Sequence, residues 1–265
     1  MQFYKKILIK FLSSKKAFDF SAKGKNIVVF APHPDDETLG CGGTIAELAS
    51  SGNNINIVFL TDGTSSHTKF ISRQELKSIR IKEAEKAAYE LGIKSGNLHF
   101  LEITDGNLDK QYKKTVSLIA ETLKNNKPDI IFVTSGKEFP DDHFFTNKSV
   151  LEAVKESSIS PDIYEYLIWY WHSWPFTLSF PEGKKNMLRF IFRSLKTFAG
   201  LQPIFHINYC ADISASLKKK SNALNQHKSQ IERYNGIADW PVLGDVSKGE
   251  FLNFFLSEYE FFIKR

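Results

Sequence analysis

The chain has 265 residues, 42% apolar and 25% charged, which excludes a disordered protein and allows one large α/β domain or two small ones. A net charge of +5, with lysines scattered along the chain, does not by itself argue for nucleic acid. Two cysteines, Cys41 and Cys210, exclude a disulfide framework or a Cys-rich zinc site and fit a reducing, cytoplasmic compartment; no apolar run is long enough to span a membrane.

Residues 1–16 mix Phe3, Tyr4, Ile7, Leu8, Ile9, Phe11 and Leu12 with lysines, without the apolar core or cleavage site of a signal peptide. They read as a helix packed on the domain, with peripheral membrane contact as the alternative. Asn26–Ala31 is a buried strand ending at Pro32. Residues 37–51 are a helix stopped by Gly52. Ile55–Leu60 is a second strand, and 73–91 a helix with Gly92 just past its end. Leu98–Ile103 and residues 129–134 are the third and fourth strands, with a helix over 112–124 between them. A helix over 147–157 and an aromatic strand over 164–171 follow.

This βαβα rhythm predicts an α/β fold: a doubly wound, mostly parallel sheet in the order 3-2-1-4-5 plus extra strands, with helices on both faces. Residues 174–200 break the rhythm as an insertion. Its segment 184–198 is basic and amphipathic, and reads as a surface helix covering a sheet edge or as a membrane or lipid-linked-substrate contact. A strand over 204–210, a helix over about 215–232 and an aromatic tail complete the chain. Without linker or repeat, residues 1–265 read as a single domain. Oligomeric state is left open.

The chemistry concentrates in Pro32-His33-Pro34-Asp35-Asp36-Glu37, directly after the first strand. Ligands of open parallel sheets bind at the carboxyl ends of the strands. Buried titratable groups there need a metal, partners or water. Imidazole and carboxylate suit zinc, and catalytic zinc sites use three protein ligands. His33 and Asp36 are close enough to share an ion, which leaves Asp35 free for proton transfer. The alternative is that these acids cap the next helix, which explains one carboxylate but not the whole set.

A third ligand could come from His67, His99, His143, His172, His206 or His227. His143 follows the fourth strand, which neighbours the first at the point where strand order reverses, so geometry favours it. Gly40-Cys41-Gly42-Gly43 lets the helix pack closely. It lacks the spacing of a dinucleotide fingerprint, and Asp35 and Asp36 would repel a pyrophosphate.

The His-Pro-Asp-Asp-Glu segment followed by Thr38-Leu-Gly-Cys-Gly-Gly43 resembles the PIG-L/LmbE-like N-acetylglucosaminyl deacetylases. The likeness continues in Leu60–Gly63, Arg80–Ala84 with Leu91-Gly92, Asp105-Gly106, Asp142-His143, and from Lys220 to His227–Gln230. It implies a Rossmann-like fold holding one Zn2+ (or another divalent metal) through His33, Asp36 and His143, with Asp35 as general base. It implies substrate or supporting roles for Arg80, Asp105 and Asp142, and His227 resembles a recurring family position. Arg80 could instead pair with Glu83 on its own helix, and Asp105 could be a turn residue.

Pro140 stands where many relatives carry a histidine, with His172, His206 and His227 as candidates to replace it. His172, after Trp169, Trp171 and beside Trp174, could line the pocket; those tryptophans could stack on a sugar or simply pack. His67 and His99 have no constellation around them and read as structural.

The resemblance implies a hydrolase that removes the N-acetyl group of an amino sugar or glycoconjugate. A hydrolase of another N-acyl amine, and a non-catalytic glycan- or nucleotide-binding module, are the alternatives. The expected partner is a small molecule and not a nucleic acid, and the expected location is the cytoplasm or the inner membrane face.

Overall fold

The computed structural model describes residues 2–179, 183–198 and 201–265. The strands are β1 (Lys16–Ala17), β2 (Asn26–Ala31), β3 (Asn54–Thr61), β4 (Leu98–Ile103), β5 (Ile130–Thr134), β6 (Asp162–Tyr166), β7 (Tyr209–Asp212) and β8 (Tyr259–Lys264). They form one eight-stranded sheet in the order β1-β7-β8-β6-β5-β2-β3-β4. Within it, β4-β3-β2-β5-β6 is the parallel 3-2-1-4-5 arrangement expected from the sequence. β8 runs antiparallel between β6 and β7.

β2 is central because both of its faces are apolar, as buried parallel strands require. Ile27, Val29 and Ala31 join one core cluster, and Val28 and Phe30 join the other. The first cluster lies under α1 (Gln2–Ser13), α2 (Asp36–Ser50) and α3 (Arg73–Glu90). The second lies under α4 (Tyr112–Asn126) and α5 (Asp141–Glu156). Each buried aliphatic or aromatic side chain of this strand stabilises the fold by about 1.5–3 kcal/mol.

α2 is bent at Cys41, whose φ of −146° is not helical. The bend frees the N–H groups of Gly43 and Thr44, and both donate to the Glu260 carboxylate of β8 at 2.8 Å. A Cβ on Gly40 would lie 2.2 Å from the Tyr166 ring, so only glycine lets α2 approach β6 this closely.

Four elements differ from the sequence reading. α5 starts at Asp141 rather than 147: extended Pro140 is its N-cap, and Asp141 and Asp142 lie in a first turn that favours acids. β6 stops at Tyr166 because Glu138 takes the N–H groups of Ile168 and Trp169 at 2.8 Å, and Trp169–Trp171 turns away as a short 3-10 helix. The strand read over 204–210 is instead α7 (Leu201–His206) followed by β7. The helix read over 215–232 is two, α8 (Leu217–Leu224) and α9 (Lys228–Ile231), with His227 between them.

In the insertion, residues 180–182 and 199–200 lie outside the described residues. Its helix α6 (Lys184–Lys196) buries Phe190 and exposes Leu188, Ile191, Phe192 and Leu195. α1 buries Leu8 and Leu12 and exposes Phe3, Ile7 and Phe11. Tyr4 of α1 stacks on Trp174, whose N–H donates to Ser194 of α6. Among the described residues, no helix is long and apolar enough to cross a membrane. The remaining helix, α10 (Glu250–Phe255), packs three phenylalanines into the first core cluster.

Candidate active site

The loop after β2 is fixed to β3, because Thr61 donates its N–H and its hydroxyl to the Pro32 carbonyl. The loop turns sharply at Asp35, which has φ +138°. A non-glycine residue in that region costs about 1–3 kcal/mol and occurs most often at functional sites. The Asp35 N–H donates to Glu37 Oε2 at 3.0 Å, so Glu37 holds the turn.

His33 and Asp36 meet in this loop: the His33 N–H donates to Asp36 Oδ2, and His33 Nδ1 lies 3.1 Å from the same oxygen. Asp36 Oδ2 is also 3.4 Å from His143 Nε2, which comes from the first turn of α5 beyond the neighbouring strand β5. Each of His33, Asp36 and His143 has one donor atom within 4.8 Å of the others. A second group with the same closeness is His33, Asp105 and Asp142.

The partners of these residues separate the two groups. Asp142 accepts from Gly106 N–H and Leu108 N–H, and so holds the loop after β4. Asp105 accepts from Ser65 N–H at 2.8 Å and faces His33 Nε2 at 3.2 Å. His143 is fully buried, and neither ring nitrogen has a hydrogen-bond partner. A buried polar atom left unpaired costs about 1–3 kcal/mol. A divalent ion on His33, Asp36 and His143 would fill that role, and the donor set suits zinc.

Electrostatics divide the two histidines. Burial pushes His143 down to about 4, so its ring is neutral and able to bind a metal. Burial also opposes charge on His33, but the Asp105, Asp142 and Asp36 carboxylates outweigh it and raise His33 well above its ordinary value. Asp36 is held low, because His143 and His33 outweigh its burial. Asp35 behaves differently: burial raises it to about 7, against the pull of Arg80.

Arg80 is buried and its guanidinium lies 3.2 Å from Asp35. It donates to the carbonyls of Gly63 and Pro34. A Cβ on Gly63 would sit 2.7 Å from that guanidinium, so the glycine makes room for it. Glu83 turns away to Ser229, accepting from its N–H and hydroxyl at 2.7 Å. His33, Asp35, Asp36, Arg80, Asp105 and Trp169 line a cavity of about 160 Å³.

The remaining candidates fall elsewhere. His227 is buried, 3.4 Å from Glu37 Oε1. Burial opposes its charge, but the Glu37 carboxylate prevails and raises it. His172 lies in a neighbouring cavity, with Nε2 3.0 Å from Ser247 Oγ. His67 stacks on Trp240, His99 faces Asn56 at 3.1 Å, and His206 ends α7. Trp171 stacks on Phe254 in the core; Trp169 borders both cavities.

Sequence reasoning missed Glu138. Its Oε2 lies 3.5 Å from His143 Nδ1, and burial pushes the carboxyl up to about 8. An acid facing the outer nitrogen of a candidate metal histidine orients the ring. No spacing marks this role, because the contact depends on where α5 begins.

The protein is an α/β chain whose parallel sheet carries, at its switch point, a His–Asp–His group that could hold a metal ion beside a buried carboxylate. Residues 28–154 match the family model described as PIG-L: GlcNAc-PI de-N-acetylase. It is 33% identical over 111 residues to a diacetylchitobiose deacetylase of Thermococcus kodakarensis, covering 41% of this chain and 40% of that protein. It is 28% identical over 138 residues to a probable N-acetyl-alpha-D-glucosaminyl L-malate deacetylase of Bacillus anthracis, covering 49% and 59%. The chain thus spans about half the length of the curated relatives it matches. Among solved structures, the N,N'-diacetylchitobiose deacetylase of Pyrococcus horikoshii aligns at a TM-score of 0.66 and 22% identity, covering 100% of this chain and 92% of that one. That likeness speaks for the fold.

Proposed function

We propose that this chain is a metal-dependent amidohydrolase that removes the N-acetyl group from an N-acetylglucosamine-type sugar or glycoconjugate, working as one domain. The observation that carries the reading is the meeting of His33, Asp36 and a buried His143 whose ring nitrogens make no hydrogen bond, beside the cavity that Asp35 lines. The names of the relatives support the substrate class.

Zinc held by His33, Asp36 and His143 supplies, when bound, Lewis acidity toward the amide carbonyl and the attacking water. Asp35 takes a proton from that water as the oxygen attacks the carbonyl carbon. It returns the proton to the nitrogen as the C–N bond breaks, releasing acetate and a free amine. Its elevated value near 7 suits both transfers. Arg80 holds the Asp35 carboxylate in place. Arg80 and Asp105 line the cavity wall, which supports their meeting sugar hydroxyls. Pro140 leaves the leaving-group proton to Asp35.

The test is acetate release from a panel of N-acetylglucosamine compounds by zinc-loaded protein. Release should disappear on chelation and return with zinc. Zinc-loaded protein that releases no acetate from any N-acyl compound would be a binding module instead.

A further inference from the structure

A second cavity, of about 440 Å³, adjoins the first, with Trp169 bordering both. One wall is α6, through Arg189 and Arg193; another is the segment before α10, through Ser247 and Lys248. The cavity therefore collects three cationic side chains. Among the described residues, Asp245 is the only acid lining it, and the Arg233 guanidinium already takes it through two hydrogen bonds of 2.7 Å.

Arg193 is only partly exposed, yet no carboxylate lies within 4 Å of it among the described residues. Burial lowers its pKa, the Glu138 carboxylate beyond 4 Å partly offsets this, and neighbouring Arg189 lowers it again, so two guanidiniums face each other at this wall. An anion in the cavity would relieve the repulsion between them.

His172 fastens the two walls together. Arg193 donates to His172 Nδ1 at 3.2 Å, and arginine can only donate, so His172 Nε2–H donates to Ser247 Oγ. Burial and then Arg193 push His172 down to about 4, which keeps it neutral in this bridge. Ser247, Lys248 and Gly249 are three consecutive left-handed residues, with φ +51°, +55° and +83°. That conformation is costly for the two non-glycine residues. The turn places Lys248 at the cavity opposite the α6 arginines.

We infer that this cavity binds the phosphate group of a phosphorylated amino sugar, whose N-acyl end occupies the neighbouring cavity across Trp169. The inference rests on the proposed hydrolase reading for the second half of that sentence. The phosphate itself is assigned by the cations alone.

The experiment is calorimetric titration of zinc-loaded protein with N-acetylglucosamine, its 1-phosphate, its 6-phosphate and inorganic phosphate. At least one sugar phosphate should bind about tenfold or more tighter than the neutral sugar, and inorganic phosphate should displace it. Arg193→Gln and Lys248→Gln should each weaken the sugar phosphate by about tenfold and leave the neutral sugar unchanged. Lys248→Gln keeps the test valid if Arg193→Gln fails to fold, because Lys248 is exposed. Equal affinity for neutral and phosphorylated sugars, or wild-type affinity in both variants, overturns the inference. Inorganic phosphate that binds without displacing the sugar phosphate overturns its assignment to the substrate. A phosphate preference without acetate release would remove the hydrolase reading and keep the anion site.

Discussion

Replacing Asp35 by asparagine should lower the turnover number by about a hundredfold to ten-thousandfold while zinc stays bound. Asparagine keeps the size of the side chain and tolerates positive φ better than most residues, so the strained turn at +138° should survive. What it loses is the ability to accept and return a proton. Asp35 is one residue from Asp36, yet their environments differ: Asp36 lies against two imidazoles, whereas Asp35 lies against Arg80 and the cavity. Steady-state acetate release and metal analysis on the same preparation read both properties. Turnover within about tenfold of wild type would show that another group moves the proton.

Replacing Glu260 by alanine should destabilise the fold by about 3–5 kcal/mol. Glu260 is buried, and its carboxylate pairs with Lys220 at 2.7 Å. It also accepts from Gly43 N–H, Thr44 N–H and the Thr44 hydroxyl. Truncation would leave a buried ammonium and two backbone donors with one partner fewer. The ammonium would keep only its bond to the Leu39 carbonyl.

Adding Lys220→Met to the Glu260 variant should recover part of the loss, because the charge stranded by the first change is then gone. Urea midpoints of the two single variants and the double variant measure this coupling. A loss below about 1 kcal/mol, or strict additivity, would mean that solvent reaches the pair. The pair sits at the bend of α2, whose first residue is Asp36, so the same contact that stabilises the fold sets the angle at which the site leaves β2.

The centre of the molecule was legible because its signals are local. Apolar runs bounded by Pro or Gly mark β2 to β5, and the strand order follows from their alternation with helices. The compact His33–Glu37 segment and the neighbouring β2 and β5 then bring His143 beside His33 and Asp36. What could not be read depends on distant contacts. The end of β6 is set by the Glu138 carboxylate, and the start of α5 by Pro140, which precedes the helix read over 147–157. β8 reads as an aromatic tail until its pairing with β6 and β7 is known. His172, among its tryptophan neighbours, reads either as lining the pocket or as a histidine of an aromatic cluster. Its partners are Arg193 and Ser247, and no local pattern announces either.

Metal content reads out His33, Asp36 and His143 as ligands directly. Purified protein incubated with zinc and then dialysed should retain about one ion per chain. His33→Ala, Asp36→Ala and His143→Ala should each lose most of it. Asp105→Asn should keep it, because in this account Asp105 serves His33 and Ser65 rather than the ion. A wild-type chain that holds no zinc would contradict the account. So would a chain that keeps its zinc in His143→Ala and loses it in Asp105→Asn.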